Sequence, residues 1–286
     1  EDSHISRKKI YAFYKENRRE RTRTEEEFLS YTHQRGRVKQ YLEELYVRQG
    51  EYQFCETDDC IAHYVQNSSE KITIYSSDGD LTQLVNENVQ LYNPQHRKLY
   101  NVNDTFIYDK EEILISNIHL VKMFCGDNSD NIAGIKGMGV KRILGYFPEL
   151  KTESVTIDQI KTKSTLLFEQ DKHNKTLANL LTGVTKYGVF GDEFYEINEK
   201  IVSLSNPFLT EEAKMSISQL INEELDPEGR SYKNTMKMMM EDGIFNILPK
   251  YDDAWVKFLD PFLRLARKEK NKIKTKTRTI KIKNNE

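Results

Sequence analysis

The chain has 286 residues, of which 31% are charged and 37% hydrophobic, and its formal net charge of -2 conceals a strong segregation of sign. That length can bury a real core in one large domain or two ordinary ones. No apolar run approaches the roughly 20 residues of a membrane-spanning helix, and nothing at the start reads as a signal peptide. Three cysteines (Cys55, Cys60 and Cys125) make neither a disulfide framework nor a zinc spacing, so reduced thiols in a cytoplasmic setting are expected.

Residues 1–41 carry 11 Lys/Arg against 7 Asp/Glu, with most of the basic residues between Arg7 and Arg23. The pattern predicts helices over about 7–47, interrupted near "HQRGR". Leu42, Leu45 and Tyr46 keep a short helical spacing, whereas "YKENRRERTRTEEE" has almost no apolar stripe and is expected to be exposed or to order on a ligand. "YQFC" reads as a short strand that stops at Glu56, Asp58 and Asp59, and Cys60, Ile61, Tyr64 and Val65 then share one helical face. Ile72 and Ile74 belong to a strand ending at Ser76-Ser77, with Asp78 and Asp80 just beyond it. Leu81, Leu84 and Val85 begin another helix. "VQLYNP" and "KLYNVN" read as two strands about a turn at Asn93-Pro94. This alternation predicts an α/β fold with a mainly parallel central sheet flanked by helices, in which ligands gather beyond the carboxyl ends of the strands. From Asn117 the chain reads as helical, broken at "CGDNSDNIAGIKGMGVKRILGYF". Helices and polar loops continue after 150, and residues 267–283 carry 9 basic residues and one acid, a tail expected to be flexible.

Glu56, Asp58, Asp59, Asp78, Asp80, Asp127 and Asp130 form three tight groups at element ends. Clustered hard oxygens without His or Cys suit Mg²⁺ or Mn²⁺, and two such ions about 4 Å apart can activate water and stabilise a leaving oxygen in phosphodiester hydrolysis. Bound cations would turn the repulsion between these acids into coordination. Taken singly, "DGD" also reads as a turn and "DNSDN" as a loop or helix cap, and acids at a helix start are favoured by its dipole. An EF-hand starting at Asp78 fails, because its sixth position is Gln83 and its twelfth Val89. Asp78-x-Asp80-x-Thr82 also fits the nucleophile motif of haloacid-dehalogenase-like phosphatases, which leaves "ETDD" unexplained.

"GIKGMGVKRI" sets Gly134, Gly137 and Gly139 in a short turn that opens a helix at Val140, with Lys136, Lys141 and Arg142 beside it. Such a turn lets backbone amides approach a phosphate. Neither a Walker loop nor a Rossmann fingerprint matches, and a helix–hairpin–helix grip on a nucleic-acid backbone fits better.

"ETDD", "SSDGDLTQL" and "GDNSDNIAGIKGMGVKRI", in that order, resemble the phage and bacterial 5′ nuclease (flap endonuclease) family, most of all its T-even-like phage members, over residues 2 to about 150. The resemblance implies a PIN-like catalytic domain over 1–116 with a helical arch at about 7–47, a helix–three-turn–helix region over 117–175, a helical portion over 176–266 and a basic tail over 267–286. It implies that Asp2, Glu56, Asp58, Asp59, Asp78, Asp80, Asp127 and Asp130 bind two Mg²⁺ or Mn²⁺ directly or through water. Asp58 and Asp78 would be catalytic together with Lys15 and Arg18. Arg7, Tyr14, Lys15 and Arg18 would contact the substrate strand. The duplex would lie on Gly134, Lys136, Gly137, Gly139, Lys141 and Arg142, with K⁺ at the hairpin. The implied activity is 5′-3′ exonuclease and flap endonuclease cleavage of branched, nicked or RNA-primed duplexes in phage DNA replication, by a monomer in the host cytoplasm. Single-stranded-DNA-binding protein or a sliding clamp would be partners. The family's opening βα unit, with its first ligand Asp, has no counterpart in the sequence. That leaves open a nucleic-acid-binding protein that needs a separate N-terminal segment for catalysis.

Overall fold

The computed structural model describes residues 5–18, 24–223 and 231–244, together with 257, 260–264 and 267. The chain divides into two compact units, residues 1–20 with 52–221 and residues 21–51 with 222–286.

In the first unit, α1 (Ile5–Ile10) leads into a run of turns through residue 17. In the second, α2 (Glu25–Glu44) begins at a capping box, in which the Thr24 hydroxyl accepts from the Glu27 N–H and the Glu27 carboxylate accepts from the Thr24 N–H. Three acids in its first turn complement the helix dipole. The interruption expected near "HQRGR" does not occur. Gly36 stands in open space, and a helix-interior glycine costs only about 1 kcal/mol, too little to break a capped helix of this length.

The strand expected at "YQFC" is also absent, because Gln53-Phe54 turn and Phe54 has a left-handed φ of 60°. α3 (Thr57–Gln66) then buries Asp59, Ala62 and Val65 rather than the Cys60–Ile61 face. β1 (Ile72–Tyr75) pairs in parallel with β2 (Val89–Asn93), Ile74 opposite Leu91. Between them a 3-10 helix spans Gly79–Leu84, and the chain leaves it in extended backbone at Val85, so the longer helix expected there does not form. β3 (Lys98–Tyr100) returns antiparallel to β2 across the expected turn, where the Asn93 side chain accepts from the Gln95 and His96 N–H groups. A connection that short cannot make a parallel crossover, so the three-stranded sheet is mixed among the described residues. β4 (Thr105–Tyr108) and β5 (Glu111–Leu114) form a separate antiparallel pair.

α4 (Ile118–Cys125) runs through the core with Ile118, Leu120, Val121, Met123 and Phe124 almost wholly buried. The short strands β6 (Gly126–Asp127) and β7 (Ile132–Ala133) pair beside it and hold the loop 128–131. α5 (Val140–Tyr146), α6 (Ile157–Gln170), α7 (Lys175–Leu181), α8 (Glu193–Val202) and α9 (Glu211–Asn222) follow. Asn198 on α8 donates its side-chain amide to the Met123 and Ala133 carbonyls, fixing α4 and β7 to one helix. In the second unit, α10 (Tyr232–Glu241) is joined to α2 by Arg37, which donates to Asp242 at 2.7 Å and Glu241 at 3.1 Å. No helix among the described residues is long and apolar enough to cross a membrane. The basic tail beyond 267 lies outside the described residues, as does Asp2.

Candidate active site

The acids at the start of α3 are organised by a buried cation. Arg7 is 3% exposed and its guanidinium grips Asp59 with two hydrogen bonds of 2.5 and 2.9 Å. It also donates to Glu56 at 2.8 Å and to the Ile201 carbonyl at 3.0 Å. Burial opposes its charge, but Asp59 and Glu56 more than restore it and hold the guanidinium firmly protonated. Tyr14 is buried with its hydroxyl donating to Glu56 at 3.1 Å, and burial followed by the Glu56 and Asp130 charges pushes its phenol far up. Arg7 and Tyr14, expected to contact a substrate strand, are turned to Glu56 and Asp59, and Asp59 is fully buried with both oxygens on Arg7.

The second group is built on Lys122, the one charged residue of the apolar helix α4. Its ammonium donates to Asp80 Oδ1 and, at 2.8 Å, to Asp127 Oδ2. Burial acts against the Lys122 charge, but the two carboxylates outweigh it and keep the ammonium protonated. Asp127 lies below the usual carboxylate range: burial opposes this, and Lys122 and the hydroxyl and N–H of Ser129 override it. Asp80 is pushed up by burial despite Lys122.

Asp130 anchors the third group. Arg18, 51% exposed at its side chain, donates to Asp130 at 2.5 Å, and Lys15, almost buried, donates to Glu56 at 2.8 Å with its ammonium 3.7 Å from Asp130. The segment carrying both cations is laced to the 128–131 loop. Lys15 N–H donates to the Asp130 carbonyl, the Asn17 side chain to the Asn128 carbonyl, and the Asn131 side chain to the Phe13 carbonyl. Lys15 and Asn131 both hold left-handed φ values, 54° and 56°, at this junction. Such strain persists only where surroundings over-determine it.

Asp58 faces the same cavity, of about 20 Å³, as Glu56, Asp80, Lys122, Asp127 and Asp130. Burial first, and then the charges of Asp78, Asp80 and Glu56, push its carboxyl up to about 6. Asp78 is exposed and caps the 3-10 helix by accepting from the Asp80 N–H at 2.9 Å. The donor set fits a hard divalent cation, because its oxygens are carboxylates and Asp58 is buried among negative charges that Lys15 only partly offsets. No three of these groups converge on a ready-made cation cage among the described residues, since Lys122 stands between Asp80 and Asp127.

The glycine hairpin divides into two parts. A Cβ on Gly134 would stand 2.1 Å from the Cys125 backbone carbon, so this glycine serves the packing of β7 against the end of α4 and not the exposed turn. Gly137, with φ of 85°, and Gly139 lie exposed between Lys136, Lys141 and Arg142. Arg142 donates to the Gly137 carbonyl and closes the turn.

Sequence reasoning missed Lys122 and Asn131. A single lysine inside "IHLVKMFC" was the available signal for the first. For the second, only the fold reveals that its side chain links the Phe13 carbonyl to the Tyr187 hydroxyl.

Residues 1–115 match the family of the 5′-3′ exonuclease N-terminal, resolvase-like domain. Among similar proteins, DNA polymerase I of Rhizobium leguminosarum is 31% identical over 140 residues, 45% of this chain and 14% of the polymerase. A 5′-3′ exonuclease of Mycoplasma pneumoniae is 32% identical over 177 residues, 59% of this chain and 56% of that protein. The matches thus span a small part of the polymerase and about half of the exonuclease. The fold is similar to that of the bacteriophage T5 flap endonuclease in a pseudo-enzyme–product complex with DNA and metal ions. The TM-score is 0.51 at 19% identity, over 82% of this chain and 80% of that one. Over residues 1–115, then, the chain is similar to the N-terminal domain of 5′-3′ exonucleases.

Proposed function

We propose that the protein is a divalent-metal-dependent, structure-selective 5′ nuclease that hydrolyses phosphodiester bonds at 5′ flaps, nicks or primer ends of duplex DNA. The observation that carries this reading is the pocket in which Asp58 sits with Glu56, Asp80, Asp127 and Asp130, its carboxyl raised by burial and then by negative neighbours whose charge an external cation would relieve. Support also comes from the family match over residues 1–115 and the likeness to a flap endonuclease captured with DNA and metal ions.

Asp58, Asp78, Asp80, Asp127, Asp130 and Glu56 would hold the ions, Mg²⁺ or Mn²⁺. When bound, these supply an activated water and a Lewis acid for the leaving oxygen. Arg18, the exposed cation of the site, receives the substrate phosphate. Lys15, fixed by Glu56 and by the left-handed turn, holds positive charge beside the point where the transition state gathers negative charge. The exposed Gly137–Gly139 turn with Lys136, Lys141 and Arg142 grips duplex backbone, with K⁺ beside it, and phosphate contacts of that kind do not read sequence. In functional terms the chain divides into a catalytic domain over 1–116, a duplex-binding region over 117–175 that also supplies Asp127 and Asp130, a C-terminal portion over 176–266 and a basic tail over 267–286.

The internal neutralisation by Lys122 favours one second reading, a protein that binds nucleic acid without cleaving it. One experiment separates the two. An end-labelled 5′-flap duplex is incubated with the 286-residue chain in Mg²⁺ and in EDTA. Mg²⁺-dependent cleavage at the junction supports the nuclease, and binding in both conditions without cleavage supports the alternative.

A further inference from the structure

One cluster of the first unit has no part in the chemistry above. Phe13 and Tyr187 stack with ring centroids 4.9 Å apart and planes 14° from parallel, yet they are 42% and 39% exposed. Tyr11 packs edge-on to Phe13 at 5.6 Å. A buried core uses such a pair to exclude water, but here large parts of both rings face solvent.

The pair is held rigidly and next to the site. Asn131, the neighbour of Asp130, donates to the Phe13 carbonyl at 2.7 Å and accepts from the Tyr187 hydroxyl at 2.7 Å. The polar end of Tyr187 is therefore satisfied internally, which leaves its ring as the exposed feature. On one side, Phe13 precedes Tyr14 and Lys15 in the strained turn that faces Glu56 and Asp130. On the other, the Tyr187 turn is tied to the glycine hairpin, since Lys136 N–H donates to the Val184 carbonyl and Asn179 donates to the Lys136 carbonyl. The Lys186 ammonium lies 4.8 Å from the Tyr187 ring centroid and adds positive charge. An exposed, pre-ordered aromatic stack between two phosphate-directed cation groups is what an unpaired base stacks on, because every base has a π-face and its flanking phosphates need cations.

We propose that the Phe13–Tyr187 stack is a platform for one unpaired nucleobase of the DNA strand, adjoining the phosphodiester bond at the carboxylate site. This rests on the nuclease reading, and makes these rings positioning residues that decide which bond reaches the metal ligands.

The test uses a 5′-flap duplex carrying 2-aminopurine at the flap nucleotide next to the junction, with the full chain in EDTA so that no bond is cut. Stacking quenches the fluorescence of this base analogue. The wild type is expected to quench it, Phe13→Tyr to retain the quench, and Phe13→Leu and Tyr187→Leu each to lose most of it with roughly tenfold weaker binding. The thermal midpoints of the variants report folding, and the two leucine variants disturb different segments. Wild-type binding and quenching with both leucine variants quenching equally well would overturn the platform while leaving the nuclease reading intact. Failure of the wild type to bind flap DNA at all would overturn both. A quench that Phe13→Leu and Tyr187→Leu lose equally on a blunt duplex with the probe paired at its end would assign the stack to a terminal base pair and overturn the unpaired-base proposal.

Discussion

Asp127 and Asp58 open into one small cavity and are driven in opposite directions. Asp127 is held below the usual carboxylate range by Lys122 and Ser129 against the pull of burial, whereas burial and three negative neighbours push Asp58 up to about 6. The chain supplies its own cation to one half of the pocket and leaves the other half short of one. Where the compensation is internal, as at Arg7–Asp59 and Lys122–Asp127, the carboxylate is paired within the chain. Where it is weaker, at Asp58 with exposed Asp78 alongside and only Lys15 acting against the raised carboxyl, the proposed function places the ion.

The largest expected effect breaks the uncompensated half. Asp58→Asn should lower the cleavage rate roughly a thousandfold or more while leaving flap binding in EDTA within a few-fold, as read by single-turnover kinetics and anisotropy. Cleavage at near wild-type rate would remove Asp58 from the metal site.

Breaking the compensated half should act on folding instead. Lys122→Met leaves buried Asp127 and half-buried Asp80 without a cation, and should destabilise the protein in EDTA by about 3 kcal/mol in urea unfolding. Added Mn²⁺ should then raise the thermal midpoint of the variant more than that of the wild type, because the ion replaces the lost ammonium. An unchanged stability in EDTA would show that Lys122 neutralises nothing.

The pH dependence sharpens the contrast. With its folded pKa raised, Asp58 keeps a proton in the native protein where the unfolded chain has released it. Its favourable contribution is fully present below about 4, the unfolded value, and is lost as pH rises to about 6. In EDTA, Asp58→Asn should therefore be more stable than the wild type at pH 7, and the difference should shrink as the pH falls through this window. A difference that is constant with pH would deny that Asp58 is strained.

The smallest effect concerns the hairpin. Lys136→Ala and Lys141→Ala change exposed side chains, so each should weaken duplex binding only a few-fold and reduce the salt slope of binding by about one. A loss of thermal stability in either variant would argue that these lysines support the fold.

The acid groups, the Asn93-Pro94 turn and the glycine hairpin were legible in the sequence because each is a local pattern of residue type and spacing. What was not legible depends on pairing over long separations. Nothing near Arg7 indicates that its partner is Asp59, and without that pair the buried face of α3 is read one residue off. Lys122 looks like a flaw in an apolar helix until β6 and the 3-10 helix bring Asp127 and Asp80 to it. α2 runs on through Gly36 from a cap at Thr24, whose capping box is readable in "TEEE". Asn131 and Tyr187 meet across 56 residues, beyond any periodicity argument.

The account turns on whether the Asp58 side of the pocket takes up the cation that the chain does not supply. Calorimetric titration of Mn²⁺ into the metal-free wild type and Asp58→Asn at neutral pH tests this most directly. The expected result is saturable uptake of two ions by the wild type and loss of at least one by the variant. Equal uptake by both proteins, or none by either, would contradict it.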